Sequence, residues 1–213
     1  STDCLAIGTH KKFYIEESGE FHDVTPIRQT DTNTDPITTG SAGTAVHTYE
    51  TSVTHNAAAG DFVTLSGITG DVDGICTDSY TNPFQTVNGS NIVLVTTSTA
   101  HYALAGDTVT FSGTTGFAGI PAGDFNTSLT ILEVVSSTQY SVAVATNATS
   151  AAAGGGSVDA LYLARLNREF EIISVPTSTT FTFQTDTTCT TGAVNGGGST
   201  TAAFQISIGF AVN

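Results

Sequence analysis

Ala59-Gly60-Asp61-Phe62-Val63-Thr64-Leu65-Ser66-Gly67 returns as Ala105-Gly106-Asp107-Thr108-Val109-Thr110-Phe111-Ser112-Gly113, 46 residues further on. In each copy a Gly-Asp pair supplies a tight turn. The alternation after it, Val63 with Leu65 and Val109 with Phe111, sets apolar side chains on one face of a half-buried strand. A histidine, His55 or His101, stands five residues before each Gly-Asp, and a strand-like stretch precedes each histidine, Ala45 to Val53 and Asn91 to Thr97. The unit reads strand, turn, strand.

A second phrase also occurs twice. Near Asn126 it runs Ile131-Leu132-Glu133-Val134-Val135, then Tyr140-Ser141-Val142, then Gly154-Gly155-Gly156-Ser157. Near Asn167 it runs Phe170-Glu171-Ile172-Ile173-Ser174-Val175, then Phe181-Thr182-Phe183, then Gly196-Gly197-Gly198-Ser199. The order is front, front, back, back, whereas tandem duplication gives front, back, front, back. The expected organisation is therefore nested: a host β-sandwich over 37–81 and 163–213, interrupted in a loop by a second copy over 82–162. Residues 1–36 form an N-terminal β-meander and linker.

Composition agrees with this class. Thr, Ser and Gly dominate, runs of helix-forming residues are missing, and the chain of 213 residues is long enough for two small domains. The expected fold is all-β: two Ig-like or Greek-key sandwiches plus the meander, with at most one helical turn in Ala160 to Arg168. The segment Phe204, Ile206, Ile208, Phe210, alternating with Gln205, Ser207 and Gly209, reads as a central or closing strand. Asp35-Pro36 and its surroundings, 29–44, read as a linker. The two Gly-Gly-Gly-Ser runs read as flexible connections.

The net charge is -14, and the five basic residues, Lys11, Lys12, Arg28, Arg165 and Arg168, all lie outside 29–164. A nucleic-acid reader neutralises phosphates with such side chains, so specific nucleic-acid binding is close to excluded, and anionic membranes are equally poor partners. No stretch approaches the ~20 apolar residues of a membrane span. Cys4, Cys76 and Cys189 are an odd number without metal spacing. Cys76 and Cys189 could meet across the host fold, but disulfide geometry is demanding and idle thiols are the expectation.

No catalytic, cofactor-binding or metal-ligating constellation stands out. There is no nucleophile elbow, zinc-peptidase helix or phosphate loop, and the expectation is a non-enzyme that needs no cofactor. Asp31 to Asp35 fails as an EF-hand, because Pro36 takes the place of the turn glycine and Ala42 that of the bidentate glutamate. Gly70-Asp71-Val72-Asp73-Gly74 reads as an acidic turn, with a weak cation site as its alternative. Histidines stand at 10, 22, 47, 55 and 101; the duplicated pair, His55 and His101, is expected to hold strand corners, and Asp61 and Asp107 to bond their own turns.

The opening, Leu5-Ala6-Ile7-Gly8-Thr9-His10-Lys11-Lys12-Phe13-Tyr14-Ile15 followed by Asp23-Val24-Thr25-Pro26-Ile27-Arg28, resembles a phrase in β-rich tail, nozzle-like, and other virion structural proteins of podovirus-like tailed bacteriophages. The likeness continues through His-x4-Gly-Asp-Phe-Val-Thr-Leu-Ser-Gly, Leu166-Asn167-Arg168-Glu169-Phe170-Glu171-Ile172 and Ala203-Phe204-Gln205-Ile206. It covers about 1–75 and 163–210 and departs in the middle, where 82–162 intervenes. Such proteins are longer, so the resemblance implies a fragment or a shortened relative, with a structural role and no catalytic residues to carry over. It also implies residence in the virion after assembly in the host cytoplasm, with copies of itself and other virion proteins as partners. Lys11, Lys12 and Arg28 are then expected to face acidic loops of a neighbouring subunit. The alternative is an extracellular carbohydrate-binding or adhesive module with a host surface glycan as partner; without Trp, an exposed Tyr49, Tyr80 or Tyr102 has to stack on the sugar. A hydrolase is a third reading.

Overall fold

The computed structural model describes residues 5–9 and 11–206. Leu5–Gly8 (β1), Phe13–Glu17 (β2) and Glu20–Asp23 (β3) form an antiparallel meander. Ile27–Thr34 (β4), Ile37–Thr38 (β5), Val46–Glu50 (β6) and Phe62–Ser66 (β7) begin sandwich I. Thr77–Thr81 (β8), Phe84–Thr86 (β9), Ile92–Thr96 (β10), Thr108–Ser112 (β11), Ser128–Ser136 (β12), Gln139–Ala143 (β13), Ala152–Gly154 (β14) and Ser157–Leu161 (β15) make sandwich II. Glu169–Glu171 (β16), Ser174–Thr177 (β17), Thr180–Gln184 (β18), Asn195–Gly196 (β19) and Ser199–Gln205 (β20) return to sandwich I. Among the described residues helix is confined to single turns, Ala122–Phe125 and Leu163–Arg165.

Sandwich I has two antiparallel sheets, ordered β16-β7-β20-β4 and β17-β18-β6-β5-β19. Sandwich II follows one path, β14-β9-β10-β13-β12-β11-β15-β8, because the long β12 belongs to both layers. Its start, Ser128 to Thr130, pairs with β11; from Ile131 onward it pairs with β13, with a register shift between Ile131 and Glu133. In sandwich I the same crossing is split between β16 and β17, with buried Ile172 at the break where sandwich II has buried Ile131. Every other neighbour relation recurs: β4, β5, β6, β7, β18, β19 and β20 correspond to β8, β9, β10, β11, β13, β14 and β15. Each sandwich has its own core. One gathers Ile37, Tyr49, Val63, Leu65, Phe181 and Phe204, the other Phe84, Val109, Phe111, Phe125, Ile131 and Tyr140.

The repeated phrase does what its alternation requires. Val63, Leu65 and Val109 are fully buried and Phe111 nearly so, while the threonines between them are only half-buried. Gly67 and Gly113 end these strands with φ +84 and +76, and a Cβ on either would come within 2.8 or 2.9 Å of the carbonyl oxygen of Ser199 or Ser157. Only glycine fits there. β20 pairs with β7 on one side and β4 on the other, a central strand whose Thr200, Ala202 and Phe204 point inward. Ile208 and Phe210, and with them the rest of that alternation, lie outside the described residues, as do Cys4 and His10.

Three expectations are corrected. The linker expected at 29–44 contains β4, paired with β20 from Thr34↔Ser199 to Ile27↔Gln205. It lacks an apolar stripe because an inward position is held by Asp31, 5% exposed, which accepts the Ser52 backbone N–H at 3.0 Å and the Ser52 hydroxyl. β8 was expected to lie with the host residues of 37–81, yet it pairs along its whole length with β15 of sandwich II. The Gly-Gly-Gly-Ser runs are not flexible connections but tight crossings: a Cβ on Gly155 would sit 2.5 Å from the Phe84 ring, and one on Gly197 2.9 Å from the Thr200 hydroxyl. The Gly198 N–H is held by the Asp35 carboxylate at 2.9 Å, and the Gly156 N–H by the Asn82 side chain at the same distance.

Candidate functional site

The polar groups of the chain concentrate at three places: the histidine corners, the junction of the sandwiches, and the seat of the meander. At the corners, His55 and His101 are each 1% exposed. Nδ1 of His55 accepts the Ala57 N–H at 3.0 Å and Nδ1 of His101 the Ala103 N–H at 3.1 Å. The proton must then be on Nε2, which donates to the carbonyls of Thr180 at 3.3 Å and Ser136 at 2.9 Å. His55 also stacks on Phe204 with ring centres 5.5 Å apart, and His101 meets Tyr140 edge-on at 4.9 Å. With both nitrogens occupied, these rings hold the loop after β6 or β10 onto the β17–β18 or β12–β13 turn.

Asp61 and Asp107 accept the N–H of Ala58 and Leu104 at 2.9 and 2.7 Å, so each bonds its own turn. Asn167 and Asn126 perform a matching task that the bare repeat does not announce. Asn167 accepts the Ile68 N–H and donates to the Ile68 carbonyl, at 2.9 and 2.8 Å, and Asn126 does the same to Thr114 at 2.8 and 2.9 Å. The acidic turn at 70–74 is likewise bound to backbone. Asp71 accepts the N–H of Gly74 and Cys76, both at 2.7 Å. Asp73 accepts the Thr191 hydroxyl and N–H and the Gly192 N–H at 2.6, 2.9 and 2.7 Å, and the Thr191 bond leads in holding its pKa at about 2. Among the described residues, no group of three or more His, Cys, Asp or Glu is placed to hold a metal. Cys76 and Cys189 are free and buried, and burial pushes the Cys76 thiol up to about 12.

The junction is organised by Arg165, 2% exposed. Its guanidinium donates to the Ile75 carbonyl at 3.1 Å and to the His101 carbonyl at 3.2 and 3.3 Å, pairs with Asp78, and lies 4.5 Å from the centre of the Tyr162 ring. It therefore binds the segment that leaves sandwich I, the first strand of sandwich II and the His101 loop at once. Tyr80 donates to Asp78 at 2.8 Å, and the hydroxyls of Tyr80 and Tyr140 lie 3.4 and 2.8 Å from that of Tyr162. Burial raises all three phenols, which stay neutral.

The meander is seated by Lys11 and Lys12 on the chain's own sandwich I. Lys11 reaches Glu171 at 3.1 Å; Lys12 pairs with Glu169 and with Asp23 at 2.8 Å and lies 4.4 Å from the centre of the Phe62 ring. Burial works against the Lys12 charge, but its two carboxylate partners outweigh that and raise its pKa. Burial likewise opposes the Asp23 charge, yet bonds from Lys12 and Thr25 bring its pKa to about 2. Arg28 stands 5.5 Å from the centre of the Phe204 ring and donates to the Gln205 carbonyl at 3.2 Å, and Arg168 pairs with Asp186. All five cations thus have partners within the chain. The three expected to face a neighbouring subunit face their own, across separations of 157 to 177 residues that no local pattern reveals.

Of the three tyrosines named as sugar platforms, Tyr49 is fully buried and Tyr80 6% exposed, because each is the inward residue of its strand. Tyr102 is 45% exposed. No helix of the described residues is long and apolar enough to cross a membrane.

In class this is an all-β chain of two sandwiches wound alike, whose duplicated polar residues hold turns and corners. No family model and no curated protein matches it. Among solved structures it is similar to the phage phi92 endosialidase at 18% identity and a TM-score of 0.39, over 78% of this chain and 25% of that one. The chain spans about a quarter of that protein's length, and a likeness at this score decides nothing about activity.

Proposed function

We propose that the chain is a virion structural protein of a podovirus-like tailed bacteriophage, a component of the tail or its nozzle, acting in assembly and shape without catalysis. The opening phrase supports the class, and the observation that carries the role is apolar surface on both faces of the meander. Leu5 and Phe21, opposite Glu16 on neighbouring strands and so on one face, are 57% and 62% exposed. Phe13, Ile15 and Val24 remain exposed on the other. A three-stranded sheet of this size is marginal alone. Its lysines fix it to sandwich I, while its apolar side chains are left for copies of the chain and other virion proteins.

Sedimentation velocity and negative-stain electron microscopy of the full chain test this. Rings or tubes are expected, resistant to high salt because the cations are engaged within the chain, and dissociated by Leu5→Asp with Phe21→Asp. A wild-type chain monomeric at high concentration, or a double variant that assembles unchanged, refutes the reading.

A further inference from the structure

We propose that the cleft beside Tyr102 binds a neutral pyranose unit of a saccharide, a reading independent of the assembly role. The two sandwiches act as internal controls. Tyr102 follows His101 as Asn56 follows His55, and both adopt the left-handed backbone, with φ +53 and +50. Asparagine tolerates that conformation; a bulky aromatic rarely does, and such residues cluster at sites of recognition. Core packing does not retain the tyrosine, since 45% of it faces solvent. Its place in sandwich II combines backbone strain with an exposed ring, where the sister copy has the relaxed residue.

Tyr102 borders a cleft of about 290 Å³ at the junction, lined also by Gly74, Asp78, Thr99, Asp186 and Thr188. Arg165 holds Asp78 and Arg168 holds Asp186, in each case through Oδ2, which fixes the carboxylates and leaves each Oδ1 as an acceptor. Thr99 and Thr188 are exposed and add hydroxyls that both donate and accept. An aromatic face beside fixed carboxylates and hydroxyls suits a pyranose: its C–H face packs on the ring while its hydroxyls donate to the carboxylates. The sugar should be neutral. The two arginines that hold these carboxylates are already paired, and residues 29–164 contain no Lys or Arg to meet a phosphate or a sugar carboxylate.

The test is saturation-transfer NMR on the full chain with the methyl pyranosides of glucose, galactose, mannose and N-acetylglucosamine at millimolar concentration, and the methyl glycoside of sialic acid as the acidic comparison. At least one neutral glycoside is expected to receive saturation, strongest at the protons of its apolar face, and the sialic acid glycoside less. Tyr102→Phe should retain the signal. Tyr102→Asn, which installs the residue of the sister copy, should fold at least as stably by thermal melt and weaken binding at least about tenfold. The proposal is overturned if no neutral glycoside binds, if the methyl glycoside of sialic acid binds better, or if Tyr102→Asn binds as wild type does.

Discussion

Replacing Arg165 by Met removes a buried side chain that bonds both the segment leaving sandwich I, at Ile75, and the first strand of sandwich II, at Asp78. The cost follows from what is left behind. Breaking a buried ion pair by deleting one partner typically costs about 3–5 kcal/mol. Here Asp78 is 22% exposed and keeps its bond from Tyr80, so its carboxylate can regain water, and the Ile75 carbonyl keeps the Thr187 hydroxyl at 2.8 Å. The His101 carbonyl loses both of its guanidinium contacts. Methionine restores most of the packing volume against Tyr162. The expected loss is therefore at the lower end, about 3 kcal/mol, a large share of the ~5–15 kcal/mol by which domains are stable. In urea that corresponds to a midpoint lower by roughly 1–3 M. The chain has six tyrosines and no tryptophan, so tyrosine fluorescence reports the transition, with circular dichroism as the second probe. Asp78→Asn alone should cost less, and the double variant should be less destabilised than the sum, because the pair is lost only once. An Arg165→Met chain within about 0.5 kcal/mol of wild type, a difference typical of a surface site, or strict additivity with Asp78→Asn, refutes the view that this guanidinium holds the junction.

His55→Ala and His101→Ala should each cost about 2–4 kcal/mol, since two hydrogen bonds and a buried ring go together, and equilibrium dialysis should find no metal lost with them; a stoichiometric metal released by the double variant refutes the corner role. Cys76 should escape iodoacetamide at pH 8 in the folded chain and react in urea, read by peptide mass spectrometry; rapid native labelling refutes its burial. Asp23 and Asp73 have folded-state pKa values below their unfolded ones, so each stabilises the fold above about pH 4, a contribution lost as pH falls through about 2. Hydrogen exchange should accordingly show the meander and the 190–193 loop loosening in acid before the cores do, and a meander that stays equally protected at pH 2 refutes the role of the Lys12–Asp23 pair. Deleting 77–161, joining the ends by a short Gly/Ser link and replacing Arg165 by Met should leave a folded sandwich I by proton NMR, and 77–161 should fold alone; disorder in both while the intact chain folds rules out the nested reading.

What could be read from residues alone was whatever alternates or repeats within a short window. β7 and β11 announce themselves because an apolar side chain falls at every second position between fixed turns. β4 and β8 do not. Their inward positions include Asp31 in one, and only Tyr80 is apolar in the other, so burial there is satisfied by hydrogen bonds that composition cannot display. One signal was available: Thr34-Asp35-Pro36 and Thr81-Asn82-Pro83 share a pattern, and in both the middle residue has φ +49 and clamps the third glycine of a Gly-Gly-Gly-Ser run. The histidine corners were legible because they are duplicated, whereas Arg165 is not, and its partners lie up to 90 residues away. Tyr102 became distinct from Tyr49 and Tyr80 only when strand register placed those two inward.

The position of the second sandwich follows from the turn that interrupts the first. In sandwich II, β11 runs through Gly113 into a loop closed at Thr114 by Asn126 before β12 begins. In sandwich I the same closure joins Ile68 to Asn167, and all of 77–161 lies between them. An Asn clamp fixes the two sides of its loop by bonds to their backbone, so the loop's length matters little to the strands it connects. The ends of the intervening segment are themselves adjacent: Thr77 pairs with Leu161, and the Tyr162 N–H reaches the Cys76 carbonyl at 2.8 Å. Sandwich I therefore sees a closed pair of neighbouring strands in place of a turn, the arrangement in which a surface loop accepts an insertion without strain. Arg165 sits one turn beyond that pair and binds Ile75, Asp78 and the His101 loop together, so one buried guanidinium ties the segments at both ends of the connection.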